Sequence, residues 1–444
     1  MSSLKIYQSN GEYQLFVQKD AAEMAAQDGV STVDIQVDES NTYQTMDGFG
    51  GSFTDSAAYL INQILDEDVR NDLMKKLFDH EEGIGISVVR NPVGASDFAR
   101  TVYSYNELPA GETDHEQEKF SIAHDLDDVI PLSKQALAIN PDIKFMASPW
   151  SAPNWMKTTG SMIAGQLKED CYLAFAKYFV KYIEAYAANG LPIYAVTPQN
   201  EPLYEPTHYP SMLMYAYEQA EFIKNHLKPA FIENGINTKI FCYDHNWDRP
   251  DYPLHVIDED EASVDGVAWH WYGGKPVAQK QVHMAYPDKE VHFTEGSGGE
   301  WVPAFEPAFS NLLRTGIEIL RNDSKSFVLW NMALDEENGP AVPGFGRSTC
   351  RGIVQVNQKT KELVYTLDYY GLAHFSKFIK PGAVRIDSTS DAEIRTVAFK
   401  NIDGTIAVVV LNDSEMDQNI RIVLANEVVI HCFAPSKSAM TVVK

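Results

Sequence analysis

Between residues 46 and 380 the chain alternates two hydrophobic patterns, and the alternation repeats eight times. Short, nearly continuous apolar runs occur at 46–53 (MDGFGGSF), 84–94 (IGISVVRNPVG), 143–150 (IKFMASPW) and 192–202 (PIYAVTPQNEP). Four more follow at 238–246 (TKIFCYDHN), 264–272 (VDGVAWHWY), 290–298 (EVHFTEGSG) and 325–334 (KSFVLWNMAL). Runs that are apolar at successive positions suit parallel strands covered on both faces. Between them lie stretches such as EDCYLAFAKYFVKYIEAYAANG (169–190). Apolar residues recur there every three or four positions, and Asn-Gly closes the stretch, which marks an amphipathic helix and its end. Eight such units predict an α/β fold, a (β/α)8 TIM barrel over 46–380.

The flanks carry a different period. EYQLFVQKD (12–20) and TVDIQVDES (32–40) precede the barrel, and EIRTVAFKNIDGTIAVVVLND (393–413), NIRIVLAN (419–426), EVVIHCFAP (427–435) and SAMTVVK (438–444) follow it. These segments alternate with period two and break at turn residues, including Asp403-Gly404. They predict one attached antiparallel β-sandwich built from both chain ends, residues 1–45 and 381–444.

Composition narrows the function. With 444 residues the chain exceeds one compact core, in line with a large domain plus a smaller one. A formal net charge of -26 leaves no basic stripe to neutralise phosphates, which argues against nucleic acid or an anionic membrane surface and for a neutral ligand. Cys171, Cys242, Cys350 and Cys432 lack CxxC or metal-type spacing and read as reduced thiols. No basic leader followed by an apolar core opens the sequence, and no run reaches the ~18 apolar residues of a membrane span. The expectation is a cytoplasmic protein without membrane insertion.

In a TIM barrel the strands deliver functional groups at their C-terminal ends. Those ends supply Arg90 with Asp97 just beyond, Trp150, Asn200 with Glu201, Asp244 with His245, His270 with Tyr272, Glu295, and Trp330 with Asn331. Indole faces beside carboxylates and amides suit a polyhydroxylated ligand, because aromatic rings cover the C–H face of a sugar while the polar groups bond its hydroxyls. Glu201 on the fourth run and Glu295 on the seventh face each other across the barrel mouth, the carboxylate pair that glycoside hydrolysis needs. Arg90 is expected to keep one of them charged, and burial without a cation to keep the other protonated. Asp244-His245 has no HxH or HxxxH companion to make a metal site. The glycines of GFGGSFTDSAA lack a P-loop lysine and read as a tight turn into a helix capped by Thr54 or Asp55.

The strings GFGGSFTDSAA, VVRNPVGASDFARTVYSY, ASPWSAPNWMKTTG, PQNEP, AWHWYGG, HFTEGSGG, LWNMALDEENGP and YYGLAHFSKFIKPGAVRI, in this order, resemble glycoside hydrolase family 30, close to its glucosylceramidases and their bacterial relatives. The resemblance implies a retaining β-glycosidase that uses neither a metal nor an organic cofactor. It implies Glu201 as acid/base, Glu295 as nucleophile, and Arg90, Asp97, Trp150, Asn200, His270, Tyr272, Trp330 and Asn331 as substrate-binding positions or neighbours of the pair. Retention calls for carboxyl groups ~5–5.5 Å apart, inversion for ~6.5–9.5 Å. The first expectation is a β-glucosidase of the glucosylceramidase kind acting on terminal β-linked glucose of a glycoside or oligosaccharide. A β-1,6-glucanase, a β-xylosidase or a β-fucosidase shares the same machinery, and a non-catalytic sugar-binding barrel is the reading from another class. NGPAVPGFG stands where glucosylceramidases carry a Trp after GGP, so one wall of the aglycone site differs. Glu205, just after the acid/base, is a rival for the acid role.

Overall fold

The computed structural model describes residues 4–20, 23–303, 305–425 and 428–444. Eight parallel strands close a barrel: β1 (Gly48–Ser52), β2 (Val88–Pro92), β3 (Lys144–Ser148), β4 (Ile193–Val196), β5 (Lys239–Asn246), β6 (Gly266–His270), β7 (Glu290–Glu295) and β8 (Ser326–Asn331). Each falls inside one of the eight apolar runs. The glycine-rich first run is a barrel strand, as the eight-run pattern predicts, and its glycines lie in the strand itself rather than in a turn. A Cβ on Gly50 would lie 1.6 Å from the Val88 carbonyl oxygen, so β1 approaches β2 this closely only with glycine. The helix that follows starts as expected, with Thr54 Oγ1 accepting from the Ala57 amide at 3.1 Å.

The barrel interior is layered. Its middle is filled by Val88, Met146, Ala195, Phe241, Ala268 and Val328, a hydrophobic cluster of its own. Below it, at the N-terminal ends of the strands, Lys144 pairs with Asp47 at 2.5 Å and Lys239 with Glu290 at 2.8 Å, while Lys325 also pairs with Glu290. Asp47, Glu290 and His292 converge closely enough to ligate a metal, but lysines already neutralise both carboxylates. This ionic floor seals the end opposite the site.

The second body is a nine-stranded arrangement drawn from both ends of the chain, in the order Val429–Ala434, Gln418–Val423, Thr32–Thr45, Val384–Ser388, Ile394–Lys400, Ile406–Asn412, Ala439–Val443, Lys5–Ser9 and Val17–Lys19. Thr32–Thr45 turns the corner of the sandwich: its first half pairs with Asn419–Val423 and its second with Val384–Ser388. The pairing with Asn419–Val423 is parallel, the one departure from an otherwise antiparallel set. The expected strand at 12–20 shrinks to Val17–Lys19, and Lys5–Ser9 and Val384–Ser388 are additional strands. The expected strands 419–426 and 427–435 meet at Asn426 and Glu427, which lie outside the described residues.

Central strand Ile406–Asn412 is buried on both faces: Ile406, Val408 and Val410 face the sandwich core, while Ala407, Val409 and Leu411 pack toward the barrel. Helix Leu367–Ser376 joins the two bodies through His374, whose Nε2 lies 2.8 Å from Ser9 Oγ and whose Nδ1 lies 3.0 Å from Thr441 Oγ1. Thr441 spends its hydroxyl hydrogen on the His374 carbonyl at 2.8 Å, so Nδ1 must be the donor and the ring is neutral with Nε2 accepting. Burial pushes the imidazole down to about 3. Between that value and the ordinary 6.5 the unfolded chain binds a proton that the folded chain refuses, so this site loses stability as pH falls through the window. Urea titrations of the parent and of His374→Gln from pH 7 to pH 4 should show the parent losing more stability on acidification, by up to about 1.4 kcal/mol per pH unit. Parallel slopes would show that the imidazole is not carrying the effect.

Candidate active site

Two irregularities at the C-terminal ends of β5 and β7 build the site. In β5, Phe241 points into the barrel while Cys242 and Tyr243 both pack on the outer core. The pairing of β5 with β6 slips between Tyr243 and His245, and Tyr243 and Asp244 both take left-handed backbone, with φ of 74° and 65°. Strict alternation would have turned Asp244 outward; the bulge aims it into the barrel. In β7 the register against β6 slips between Phe293 and Glu295. Phe293 belongs to the outer core, while Thr294 reaches inward to Asp244 at 2.7 Å and Glu295 turns to the mouth. Glu201 also has positive φ, 45°, and its amide donates to the Asp244 carbonyl at 3.0 Å. Such strain in non-glycine residues persists only where surrounding contacts enforce it, and it gathers at functional sites.

Arg90 is the hub of the pocket floor. It is buried and donates to Glu295 Oε2 at 2.9 Å, Asn200 Oδ1 at 2.7 Å and Asp244 Oδ2 at 2.8 Å. Trp150 and Trp330 stack with ring centroids 4.7 Å apart and lie over its guanidinium at 5.1 and 5.8 Å. Asp244 also accepts from Ser148 at 2.7 Å and Thr197 at 2.6 Å. Burial opposes its charge, but Arg90, His270 and these hydroxyls hold the carboxyl well below its ordinary range. Asp244 is therefore a fixed anion.

That anion orders His270, whose Nε2 lies 3.0 Å from Asp244 Oδ1 and whose Nδ1 lies 3.3 Å from Glu201 Oε1. Burial works against an imidazolium here, yet Glu295, Asp244 and Glu201 raise the ring to about 9. On the other side, Tyr272 donates its hydroxyl to Glu295 Oε1 at 3.0 Å. Ligand atoms of Glu201, His270 and Glu295 all lie within 4.8 Å of one another.

The expectation that the acid carboxylate would be buried without a cation is corrected. Burial raises Glu201, but the His270 hydrogen bond and the charges of His245 and His270 outweigh it and bring the carboxyl below its ordinary value. The proton therefore belongs to the Glu201–His270 pair. Burial raises Glu295, as do the charges of Glu201 and Asp244, against His270 and Arg90. The two glutamates titrate together. When Glu201 takes the shared proton its charge no longer repels Glu295, which retains two donors, Arg90 and Tyr272, and so ionises.

The remaining expected residues meet at the same mouth. Asp97 is pushed up to about 8, by burial first and then by the charges of Glu295 and Glu201, and its Oδ1 has no hydrogen-bond partner among the described residues. Asn331 accepts from Thr54 Oγ1 at 3.0 Å while its Nδ2 is likewise unpartnered among them. Buried polar atoms without partners are rare in folded proteins, and here they converge where a ligand's hydroxyls would supply the missing bonds. Glu205 stands apart from this group, accepting from the Gly165 amide at 2.5 Å in an exposed turn.

A family model for the glycosyl hydrolase family 30 TIM-barrel domain matches residues 46–379, and one for that family's beta sandwich domain matches 382–442. The chain belongs to glycosyl hydrolase family 30. Family 30 relatives include endo-1,6-beta-D-glucanase neg1 of Aspergillus fumigatus, 32% identical over 93% of this chain and 88% of that protein. The lysosomal acid glucosylceramidase of Mus musculus is 30% identical over 84% of this chain and 76% of its own length. Among solved structures, the endo-beta1,6-glucanase BT3312 superimposes with a TM-score of 0.89 at 33% identity, covering 100% of this chain and 99% of that one.

As a family 30 member the chain is a glycoside hydrolase. Sequence reasoning had placed Asp244 at a strand end but gave it no role, and it passed over Tyr209. That ring borders the site, since it packs against the cluster of Phe98, Trp150, Trp330 and Leu334. It packs against Phe345 of the divergent NGPAVPGFG segment, with centroids 5.6 Å apart. That segment also ties itself to the Asp97 loop through the Val342 amide, which donates to the Asp97 carbonyl at 2.9 Å. Its departure from the glucosylceramidase pattern was legible; its aromatic partner across the fold was not.

Proposed function

We propose that this glycosidase is a retaining endo-β-1,6-glucanase. The observation that supports retention is the carboxylate pair: one oxygen of Glu201 and one of Glu295 lie within 4.8 Å of each other, a closeness that suits the ~5–5.5 Å carboxyl spacing of double displacement. Glu295 attacks the anomeric carbon and forms a glycosyl ester as the bond to the leaving oxygen breaks. Glu201 supplies the proton that oxygen takes. Glu201 then removes a proton from water, whose oxygen displaces Glu295 and releases the sugar with β configuration. Each step transfers one proton and exchanges one C–O bond at the anomeric carbon for another, and Arg90 and Tyr272 stabilise the Glu295 carboxylate when it departs.

The expectation of terminal glucose on a small or lipid aglycone yields to its alternative. Relatives from Aspergillus fumigatus and Trichoderma harzianum and the BT3312 structure all carry the endo-1,6-glucanase description, and the first and last align over more than nine-tenths of this chain. Incubation with linear β-1,6-glucan, β-1,3-glucan, β-xylan, aryl β-glucoside and glucosylceramide tests the reading. The β-1,6-glucan is expected to give short oligosaccharides fastest, with the β-anomer appearing first by proton NMR. Preference for glucosylceramide would overturn the substrate, and initial release of the α-anomer would overturn retention.

A further inference from the structure

Beside the catalytic mouth lies a second cavity of about 500 Å³, within the ~300–1,000 Å³ of ordinary small-molecule sites. It opens between the segments that follow β6 and β7 and the helix Ala308–Arg321. Tyr272 belongs to both: its hydroxyl bonds the Glu295 carboxylate, and its ring lines the cavity.

The GSGGE segment directly after Glu295 forms its floor. A Cβ on Gly296 would meet the Trp271 ring at 2.5 Å, one on Gly298 would meet Arg351 Nη2 at 2.2 Å, and one on Gly299 would meet the Trp301 ring at 2.0 Å. Three glycines within four residues thus let two indoles and a guanidinium lie directly on the backbone that carries Glu295. Arg351 donates to Asp368 at 2.7 and 3.1 Å. Those two bonds use two of its five N–H groups; the rest have no protein acceptor among the described residues, and Arg351 lines the cavity. Trp301 is 56% exposed, a large apolar face left to solvent at the rim.

Flat indole faces flanking an anchored guanidinium match a neutral pyranose, whose C–H face stacks while its hydroxyls accept. On the opposite flank Trp150, just past β3, and Trp330 of β8 are buried and stacked on each other, leaving no comparable open aromatic face there. Building on the β-1,6-glucanase reading, we propose that this cavity is a leaving-group subsite that holds a further glucosyl residue of the chain being cut, gripped between Trp271, Trp301 and Arg351.

Two variants test it without touching the catalytic residues: Trp301→Ala removes a stacking face, and Thr315→Trp fills the cavity from the helix side. kcat/KM is measured on β-1,6-linked gluco-oligosaccharides of two to six units and on an aryl β-glucoside. Both variants are expected to stay within about twofold of the parent on the aryl glucoside and to fall about tenfold on the longer oligosaccharides, flattening the gain with chain length. Unchanged chain-length dependence in both variants, or an equal fall on all substrates, overturns the subsite alone. A parent protein that cleaves the aryl glucoside but no member of the β-1,6 series overturns the function reading and the subsite with it.

Discussion

Replacing Glu295 by Gln is expected to abolish turnover of every glycoside, by a factor on the order of 10⁴ or more, because the amide cannot form the glycosyl ester on which both steps depend. Glu201→Gln separates the two roles. On β-1,6-glucan, whose leaving alkoxide needs a proton, a loss of about 10²–10⁴ follows. On an aryl glucoside with an acidic phenol the first step survives, and the variant should show a burst of phenol followed by slow release of sugar. Stopped-flow measurement of that burst checks the assignment. Identical behaviour of both variants across leaving groups would refute it, and wild-type activity in Glu205→Gln is the matching control.

Arg90→Ala carries the largest expected effect on stability. The guanidinium is buried and serves two buried carboxylates, Asp244 and Glu295. Removing one partner of a buried pair leaves uncompensated charge at a cost of about 3–5 kcal/mol. Asp244 has a depressed carboxyl, so its contribution is present above the ordinary carboxylate range and is lost as pH falls through its lower folded value. Urea unfolding should therefore show the gap between Arg90→Ala and the parent at its widest near neutrality and narrowing under acid. Arg90→Lys should recover part of the stability but little activity, since one ammonium cannot reproduce a planar fork reaching Glu295, Asn200 and Asp244 together. A gap that does not change with pH would mean that packing under Trp150 and Trp330, rather than charge, holds the site.

The barrel was legible because its strands are buried on both faces, which writes a continuous apolar run into the sequence at each one. The two glutamates were legible because they end such runs. Asp244 was legible only as a strand-end candidate, not as the buried anion beside Arg90 and His270: its inward aim depends on two consecutive left-handed residues at Tyr243 and Asp244, and an alternation rule assigns the side chain to the wrong face. The protonation pattern was misjudged for a related reason. Sequence showed His270 at a strand end but not that it bridges Asp244 and Glu201, so the cation beside the acid was invisible. In the sandwich, Lys5–Ser9 takes its full-length partner, Ala439–Val443, from the far end of the chain, and Val384–Ser388 pairs with Thr32–Thr45 across a bulged register; local pattern carries little of that information.

The position of Lys5–Ser9 also has a consequence for biosynthesis. Its partners are Val17–Lys19 and Ala439–Val443, so one edge of its ladder stays open until the last strand has been made. At ~5–20 residues per second the ribosome needs roughly 20–90 s to supply it. The barrel segments are made within that interval, while Ile6 still lacks the sandwich core it packs into. The barrel is thus free to close first, and the sandwich is completed only after Ala439–Val443 has been made.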